Sequence, residues 1–209
     1  MLTQEEWMGA LNARHGKERQ EKFSRAVVAV CGLGGLGSNV AIALARAGIG
    51  KLILIDFDRV DVTNLNRQQY KASQLGMNKT EALAQNLREI NPFIRLETHA
   101  VRISEENAQE LLQEADVVCE AFDVPEAKAM LVNFVLENMP EKYLVAGSGM
   151  AGFGSPNTIQ TRRITGRFYL CGDTVSDVND GIGLVCARVM VCAAHEAHTI
   201  LRLLANESE

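Results

Sequence analysis

Apolar residues gather along this chain in short unbroken runs that end abruptly at glycine or at an acidic residue. Such runs are typical of parallel strands covered on both faces, because water touches neither side of them. The first run is rich in valine and ends at Gly32, and the second ends at Asp56. The pattern predicts five buried strands: Ala26–Cys31, Lys51–Ile55, Ile94–Val101, Asp116–Glu120 and Tyr143–Ser148.

Segments with apolar residues three and four positions apart follow the predicted strands, and this spacing is typical of helices with one buried face. Strands that alternate with helices along the chain indicate parallel pairing with helical crossovers. The sequence therefore predicts an α/β fold, a Rossmann-like doubly wound and mostly parallel sheet with helices on both faces. The predicted helices run from Ser38 to Ala47, Asn78 to Ile90, Ser104 to Leu112, Pro125 to Met139 and Gly183 to Leu204.

The C-terminal part departs from this alternation. Residues 158–164 predict an added strand of antiparallel character, and the polar stretch 166–181 predicts a surface loop. Within the last helix, Cys192, His195 and His198 are three residues apart, which places them nominally on one face. This spacing allows a metal site, but histidines beside an apolar stripe are more often structural, so both interpretations stay open here.

The N-terminal residues precede the first buried strand and are rich in charge. Thr3 and Glu6 have the spacing of a capping box, so we expect an amphipathic helix through Trp7 and Leu11 towards Phe23. The charged arm is either a solvated helical face or a segment that brings a cationic side chain to a phosphate, in the same subunit or in a neighbouring one. We expect a helical arm over residues 1–24 and one nucleotide-binding domain over residues 25–209, since no linker divides the rest.

A glycine-rich turn joins the first predicted strand to the first predicted helix, and an acid follows the next strand. Glycine at 32 allows a tight turn, glycine at 34 lets backbone approach a phosphate, and glycine at 37 lets helix and strand pack closely. Unpaired N–H groups at the helix start attract an anion. The alternative is a turn that serves close packing only. The predicted nucleotide-binding residues here are Gly32, Gly34, Gly35, Leu36, Gly37 and Asp56.

A long polar connection follows Asp56, and long connections at this end of a parallel strand commonly carry function. Its amide, guanidinium and ammonium groups suit sugar hydroxyls and phosphate oxygens. Asp123 lies just beyond the fourth strand, at the same rim, where a carboxylate is placed to hold Mg²⁺ beside phosphates. A helix N-cap before Pro125 is the alternative for Asp123. The predicted binding residues of the connection are Asp58, Asn64, Arg67, Gln68 and Lys79.

Composition narrows the function further. A net charge of −5 without a basic block gives no support for nucleic-acid binding. No apolar run reaches the length of a membrane span, and residues 1–6 do not resemble a signal peptide, so we expect a cytoplasmic protein. The five cysteines are odd in number and form no CxxC pair, so a disulfide framework or a structural zinc site is not expected.

The order of these motifs resembles the ubiquitin-activating-enzyme superfamily, specifically the bacterial adenylyltransferases of the ThiF and MoeB kind. The resemblance rests on a GxGGLGS loop, an acid-ending strand, DxVxxxNLxRQ, LGxxK and a helix ending in INP. These motifs stand here at Gly32–Ser38, Asp56, Asp58–Gln68, Leu75–Lys79 and Ile90–Pro92. The shorter chain looks most like the compact ThiF-like branch that is associated with thiamine biosynthesis.

The resemblance implies ATP-dependent adenylation of the C-terminal Gly-Gly carboxylate of a ubiquitin-like sulfur carrier. The implied carrier is ThiS-like and serves thiamine thiazole biosynthesis. Carriers of molybdopterin or cysteine pathways remain open, and so does a nicotinamide-dependent Rossmann dehydrogenase. By position, Asp56 would hold the ATP ribose, while Asn64, Arg67, Gln68 and Lys79 would bind phosphates. Asp123 would hold Mg²⁺ and join Arg67 and Lys79 as a catalytic residue.

Relatives also imply a homodimer in which an N-terminal arginine crosses to the partner's site. Arg14 is the best counterpart in this sequence, although a poor one. Some relatives receive the activated carrier on a cysteine in the crossover region. Cys171 lies roughly there, but its surroundings, FYLCGD, match that motif poorly, so adenylation without a covalent step is the expectation.

Overall fold

The computed structural model describes residues 2–179 and 181–207. These residues form one seven-stranded sheet in the order β3-β2-β1-β4-β5-β7-β6. All neighbouring pairs are parallel except the last, in which β6 runs antiparallel to β7. The order reverses direction next to β1, and ligands bind at such switch points in doubly wound sheets. The strands are β1 (Val27–Cys31), β2 (Lys51–Ile55), β3 (Arg95–His99), β4 (Val117–Glu120), β5 (Tyr143–Gly147), β6 (Gln160–Arg163) and β7 (Phe168–Gly172).

Helices cover both faces of this sheet, as the alternating pattern predicts. Buried side chains of α2, α3, α4 and α7 pack on one face, and those of α5 and α6 pack on the other. No helix within the described ranges is both long enough and apolar enough to cross a bilayer. The helices are α1 (Gln4–His15), α2 (Lys17–Arg25), α3 (Gly35–Arg46), α4 (Lys79–Ile90), α5 (Glu105–Leu112), α6 (Pro125–Asn138) and α7 (Cys186–Leu204).

The N-terminal arm is two helices rather than one. The predicted capping box is confirmed, since the Thr3 hydroxyl accepts from the Glu6 N–H and the Glu6 carboxylate accepts from the Thr3 N–H. The helix then ends at Gly16, whose φ of +82° is a left-handed conformation that stops an α-helix. The second helix places Phe23 in the main core. The division of the chain at residue 24 stays a prediction.

The interpretation of residues 166–181 as a surface loop is wrong in its first part. Residues 168–172 form β7, which pairs in parallel with β5 and buries Tyr169 and Cys171. The predicted antiparallel strand is confirmed as β6, and β7 is the partner to which it is joined. The polar residues on both sides of β7 hid a run of only five residues. Asp180 lies outside the described residues.

Candidate functional site

The glycine turn after β1 is tight because its backbone passes close to neighbouring backbone. Gly32 has a φ of +90°, and a Cβ atom there would lie 2.8 Å from the Ala121 carbonyl oxygen. A Cβ atom on Gly37 would lie 1.8 Å from the Gly32 oxygen, so only glycine allows α3 to pack against this turn. The helix begins at Gly35 rather than at the predicted Ser38, which brings its free N–H groups into the turn itself.

Asp56 follows β2 directly and fixes the glycine turn from the neighbouring strand. One of its carboxylate oxygens accepts the Leu33 N–H at 2.6 Å, and the other accepts the Asp58 N–H at 2.8 Å. Only 8% of the residue is exposed. Each carboxylate oxygen has a second lone pair, so Asp56 can hold the turn and accept from ligand hydroxyls at the same time.

The long connection after Asp56 folds back over the same turn. The Tyr70 hydroxyl donates to the Leu33 carbonyl oxygen at 2.7 Å, and the Asn39 amide holds the Arg67 backbone. These bonds bring Arg67 and Gln68 to the glycine turn. The Nε atom of Arg67 and the Oε1 atom of Gln68 are buried without a hydrogen-bond partner among the described residues. Orphaned buried polar atoms are rare in folded proteins and indicate a place for a ligand or water.

Lys79 lies at the first position of α4, and its ammonium contacts the Asp58 carboxylate at 2.8 Å. The lysine side chain is 7% exposed, whereas that of Asp58 is 48% exposed. A buried cation at a helix N-terminus is unfavourable for the helix, because the helix dipole is positive there. The fold itself therefore gains little from this charge, and a polyanionic ligand is the natural partner for it.

These elements enclose a cleft of about 330 Å³ at the carboxyl ends of the parallel strands. The volume is within the usual range for ligand pockets. Most of the predicted site residues line it, whereas Gly37 packs beneath the turn and Asn64 caps a short 3₁₀ turn by accepting the Asp61 N–H. The predicted residues that line the cleft are Gly32, Gly34, Gly35, Leu36, Asp56, Asp58, Arg67, Gln68, Lys79 and Asp123.

Asp123 stands on the opposite side of the cleft, between β4 and α6. The alternative that it caps α6 is wrong, because Val124 is the N-cap residue and no side chain caps this helix. The Asp123 carboxylate is exposed, and the described residues include no hydrogen-bond partner for it. A solvated carboxylate beside the glycine turn fits the oxygen ligands that Mg²⁺ prefers.

A buried ion pair below Asp123 is absent from the sequence-based prediction. Glu120 ends β4 with no exposed surface, and Lys128 on α6 donates to its two carboxylate oxygens at 3.0 and 2.7 Å. Burial raises the pKa of Glu120 although Lys128 opposes this shift. Lys128 also lines the cleft. An acid that ends an apolar run, followed eight residues later by a lysine, is the signal that could have revealed the pair.

Glu196 on α7 is a second buried acid. It has no exposed surface, and neither of its carboxylate oxygens has a hydrogen-bond partner among the described residues. It lies directly behind β5, since a Cβ atom on Gly147 would be 2.6 Å from its Oε1 atom. Burial raises the pKa of Glu196 well above its ordinary value, because the interior disfavours the charged form. The carboxyl group is therefore protonated in the folded chain over a wide pH range.

This protonation makes the stability of the fold dependent on pH. Above 4.5, the ordinary pKa of the side chain, the unfolded chain loses the Glu196 proton while the folded chain keeps it. The free energy of unfolding therefore falls as the pH rises. We expect Glu196→Gln to raise Tm more at about pH 8 than at about pH 5. For a chain of this length, a gain of ~1 kcal/mol in the free energy of unfolding corresponds to about 2–4 °C in Tm. Exposed Glu110 provides the control as Glu110→Gln, and an equal shift at both pH values contradicts the assignment.

The cysteines of the described chain are free, and four of the five are buried. Cys171, the candidate for covalent attachment, is central in β7 rather than in a loop, and desolvation raises its pKa to about 12. A buried thiol that stays protonated is a poor nucleophile, so the structure argues against a covalent role. The His195 ring contacts the Thr161 hydroxyl, and the Cys192 thiol donates to the Cys171 carbonyl oxygen. Across residues 2–179 and 181–207, no three metal-binding side chains converge.

A larger cavity, about 570 Å³, lies between α7 and the last two strands of the sheet, β7 and β6. It contains none of the predicted site residues, and Tyr169, His195 and His198 are among its walls. Arg14 is exposed on α1 and lies outside both cavities of its own chain. Size alone does not select the functional cleft. The smaller cleft is the candidate site because it gathers the glycine turn, the cations of Arg67 and Lys79, and the Asp123 carboxylate.

Residues 9–208 match the ThiF family, and the chain belongs to this family. It is 34% identical over 203 residues to the adenylyltransferase and sulfurtransferase UBA4 of Lodderomyces elongisporus. This match covers 92% of the present chain and 43% of UBA4. It is 38% identical over 131 residues to the sulfur carrier protein adenylyltransferase of Thermus thermophilus, covering 62% and 43% of the two chains. The chain spans less than half the length of these curated relatives.

Solved structures agree with the fold. The Escherichia coli tRNA N6-threonylcarbamoyladenosine dehydratase TcdA superposes with a TM-score of 0.87 at 25% identity, over 99% of this chain and 98% of that one. TcdA has been solved with AMP and with ATP. The E. coli protein MccB, solved with ATP, superposes with a TM-score of 0.70 at 26% identity, covering 92% and 59% of the two chains. A doubly wound α/β fold is thus confirmed.

Proposed function

We propose that this ThiF-family chain uses ATP to adenylate the C-terminal carboxylate of a ubiquitin-like sulfur carrier. One observation carries the proposal: the cleft combines the glycine turn with Lys79 and with the orphaned polar atoms of Arg67 and Gln68. Relatives named adenylyltransferases support it, and so does the ATP complex of TcdA. A dehydrogenase would share the turn and Asp56, but it has no need for buried Lys79 and half-buried Arg67 in the same cleft as the Asp123 carboxylate.

The proposed reaction needs positioning and charge stabilisation rather than a protein nucleophile. A carboxylate oxygen of the carrier attacks the α-phosphorus of ATP, the bond to the β-phosphate oxygen breaks, and pyrophosphate leaves with the electron pair. The carrier carboxylate is already ionised at neutral pH, so no general base is required. Arg67 offers a planar fork and Lys79 a point charge to the phosphates, and both are held in place before ATP arrives.

The residues of the cleft fit a magnesium ion as well as the nucleotide. Asp123 would hold Mg²⁺, which would add positive charge beside the triphosphate. Glu120, the neighbouring carboxylate, is buried and is bound to the Lys128 ammonium through both oxygens. Asp123 is therefore the carboxylate on this rim that remains available to a metal within the described chain.

The proposed chemistry is the same for several classes of carrier protein. A ThiS-like carrier of thiamine thiazole biosynthesis is our proposal, on the resemblance to the compact ThiF-like branch. Carriers of molybdopterin or cysteine pathways present the same Gly-Gly carboxylate and are the alternatives. A homodimer in which Arg14 reaches the partner's cleft stays a prediction, in keeping with its exposed position on α1.

A second candidate acceptor follows from TcdA, which matches this chain over nearly its full length. The nucleoside in its name has a threonyl group with a free carboxylate, so activation by ATP would be chemically the same step. This candidate places a tRNA at the mouth of the cleft, which the net charge of −5 and the lack of a basic block do not favour.

Pyrophosphate exchange tests the proposed function. We expect the purified chain to incorporate labelled pyrophosphate into ATP only when a carrier with an intact Gly-Gly terminus is present. A carrier that ends in Gly-Ala or lacks its last residue is the matched control. Exchange with ThiS-like, molybdopterin-type and cysteine-pathway carriers assigns the partner. Exchange that depends on modified tRNA supports the second candidate, and tight binding of NAD with no binding of ATP overturns both.

A further inference from the structure

Arg188 uses every donor of its guanidinium inside the protein. Its Nε donates to the Ala151 oxygen at 3.1 Å, and its Nη1 donates to the oxygens of Gly154 at 3.0 Å and Ser155 at 2.6 Å. Its Nη2 donates to the Thr158 hydroxyl at 3.1 Å and to an Asp173 carboxylate oxygen at 2.6 Å. A guanidinium has five N–H groups, and all five are engaged here.

Asp173 connects this arginine to a second segment. Its other carboxylate oxygen accepts the N–H groups of Val175 and Ser176, both at 2.9 Å, and the Ser176 hydroxyl at 3.1 Å. Desolvation raises the pKa of Asp173, but these hydrogen bonds and that from Arg188 outweigh it and lower the pKa to about 2. The carboxylate is therefore ionised at neutral pH. Arg188 and Asp173 together join residues 151–158 to residues 173–176 and to α7.

The two joined segments also cross each other backbone to backbone. The Asp173 N–H donates to the Gly149 oxygen at 2.8 Å, and the Thr174 N–H donates to the Ser148 oxygen at 3.0 Å. Thr174 has a φ of +63°, a left-handed conformation that a β-branched residue adopts only under constraint. A Cβ atom on Gly172 would lie 1.8 Å from the Ser148 oxygen. Backbone strain of this kind is commonly found where a segment must be held in one conformation for function.

This crossing forms one wall of the cleft. We call it the acceptor wall, and its cleft-lining residues are Ser148, Gly149, Met150, Ala151, Ser176, Asp177 and Val178. The glycine turn follows β1 and Lys79 lies beyond β2, whereas the acceptor wall follows β5 and β7. The incoming carboxylate approaches ATP from the side that the nucleotide leaves open, so the acceptor wall is where an extended C-terminal tail would lie.

We propose that Arg188 and Asp173 are positioning residues, which hold the acceptor wall in the conformation that receives the carrier's C-terminal tail. The proposal rests on the proposed function and assigns the carrier subsite to this wall. Neither residue is among those that line the cleft, so each acts through the backbone that it holds. The orphaned polar atoms of Arg67 and Gln68, by contrast, belong to the part of the cleft that is proposed to hold the nucleotide.

Arg188→Lys is the decisive substitution. A lysine keeps the positive charge but has three donors on one atom, so it cannot reproduce five bonds in a plane. We expect kcat/KM for the carrier to fall about 10- to 100-fold, since a small displacement of a reacting group has such an effect. The KM for ATP should stay within about 3-fold of the wild-type value, because the nucleotide side of the cleft is unchanged.

Asp173→Asn is the second variant. It keeps an acceptor for the Val175 and Ser176 N–H groups but turns an amide N–H₂ towards Arg188. We expect the same selective loss for the carrier, and no further loss when both substitutions are combined, since the two residues act as one unit. Arg202→Lys is the matched control, on the same helix and with its guanidinium directed to the Glu207 carbonyl. We expect it to behave as wild type.

If kcat/KM falls equally for ATP and for the carrier, or falls for neither, the proposal is overturned. The Arg188–Asp173 ion pair then has a structural role only. Failure of the proposed function is a separate outcome: the wild-type protein then shows no exchange with any carrier. That result would overturn the proposed carrier subsite as well. Hydrogen exchange reports on the wall without activity: in Arg188→Lys, amides in 148–158 and 173–176 should exchange faster, while the bonded amides of Gly32, Leu33 and Ser38 keep their protection. Equal protection in wild type and variant contradicts the positioning role.

Discussion

Asp123→Ala is expected to lower carrier-dependent pyrophosphate exchange by about 10²–10³, the usual effect of removing one preorganised electrostatic group. The Asp123 carboxylate is exposed at the rim of the cleft and caps no helix, so nothing in the described fold depends on it. We therefore expect an unchanged Tm. ATP affinity should fall only modestly, because the glycine turn, Asp56 and Arg67 remain in place. The loss should be concentrated in the step where charge develops on pyrophosphate.

Glu126→Ala is the matched control for this variant, since Glu126 is an exposed acid in the first turn of α6 and lies outside the cleft. Exchange should be measured over a range of Mg²⁺ concentrations for both variants and the wild type. A requirement for more Mg²⁺ in Asp123→Ala identifies the carboxylate as a metal ligand. Near-normal exchange at every Mg²⁺ concentration would remove Asp123 from the catalytic residues.

The sequence predicts the parallel core of this fold because its strands are buried on both faces. Unbroken apolar runs such as residues 51–55 carry their own signal, and the structure reproduces that strand residue for residue. β7 escaped prediction because it lies near the edge of the sheet and is flanked by charged residues. Gly16 divides the N-terminal arm, and its φ of +82° is visible only in three dimensions.

The candidate site was predictable where a motif holds several residues in sequence. The turn from Gly32 and the connection to Lys79 are such motifs, and their residues meet in one cleft. Asn64 shows the limit, since its polar side chain is used to cap a turn. Asp173 with Arg188 was missed because this pair forms through tertiary packing. Charge alone does not distinguish such a pair from solvated surface residues.

Lys79→Gln is expected to reduce exchange by about 10²–10³ while leaving the fold intact. The Lys79 ammonium is nearly buried at the first position of α4, where the helix dipole opposes a cation. Its ion-pair partner, Asp58, is 48% exposed, so water can solvate that carboxylate once the lysine is gone. Removing the charge therefore costs little stability, and the reaction loses a cation that faces the phosphates.

The same variant should weaken ATP binding more than Asp123→Ala does, because the proposed site places the ammonium against the phosphates of the bound nucleotide. Calorimetry of ATP binding and exchange kinetics measure the two effects separately. Lys71→Gln is the matched control, since Lys71 lies on the same connection, pairs with Glu89 at the surface and is outside the cleft. Lys79→Arg should fail to restore activity, because a planar guanidinium does not fit the space of a point charge. A lowered Tm with normal exchange in Lys79→Gln would instead identify the Lys79–Asp58 pair as a structural contact only.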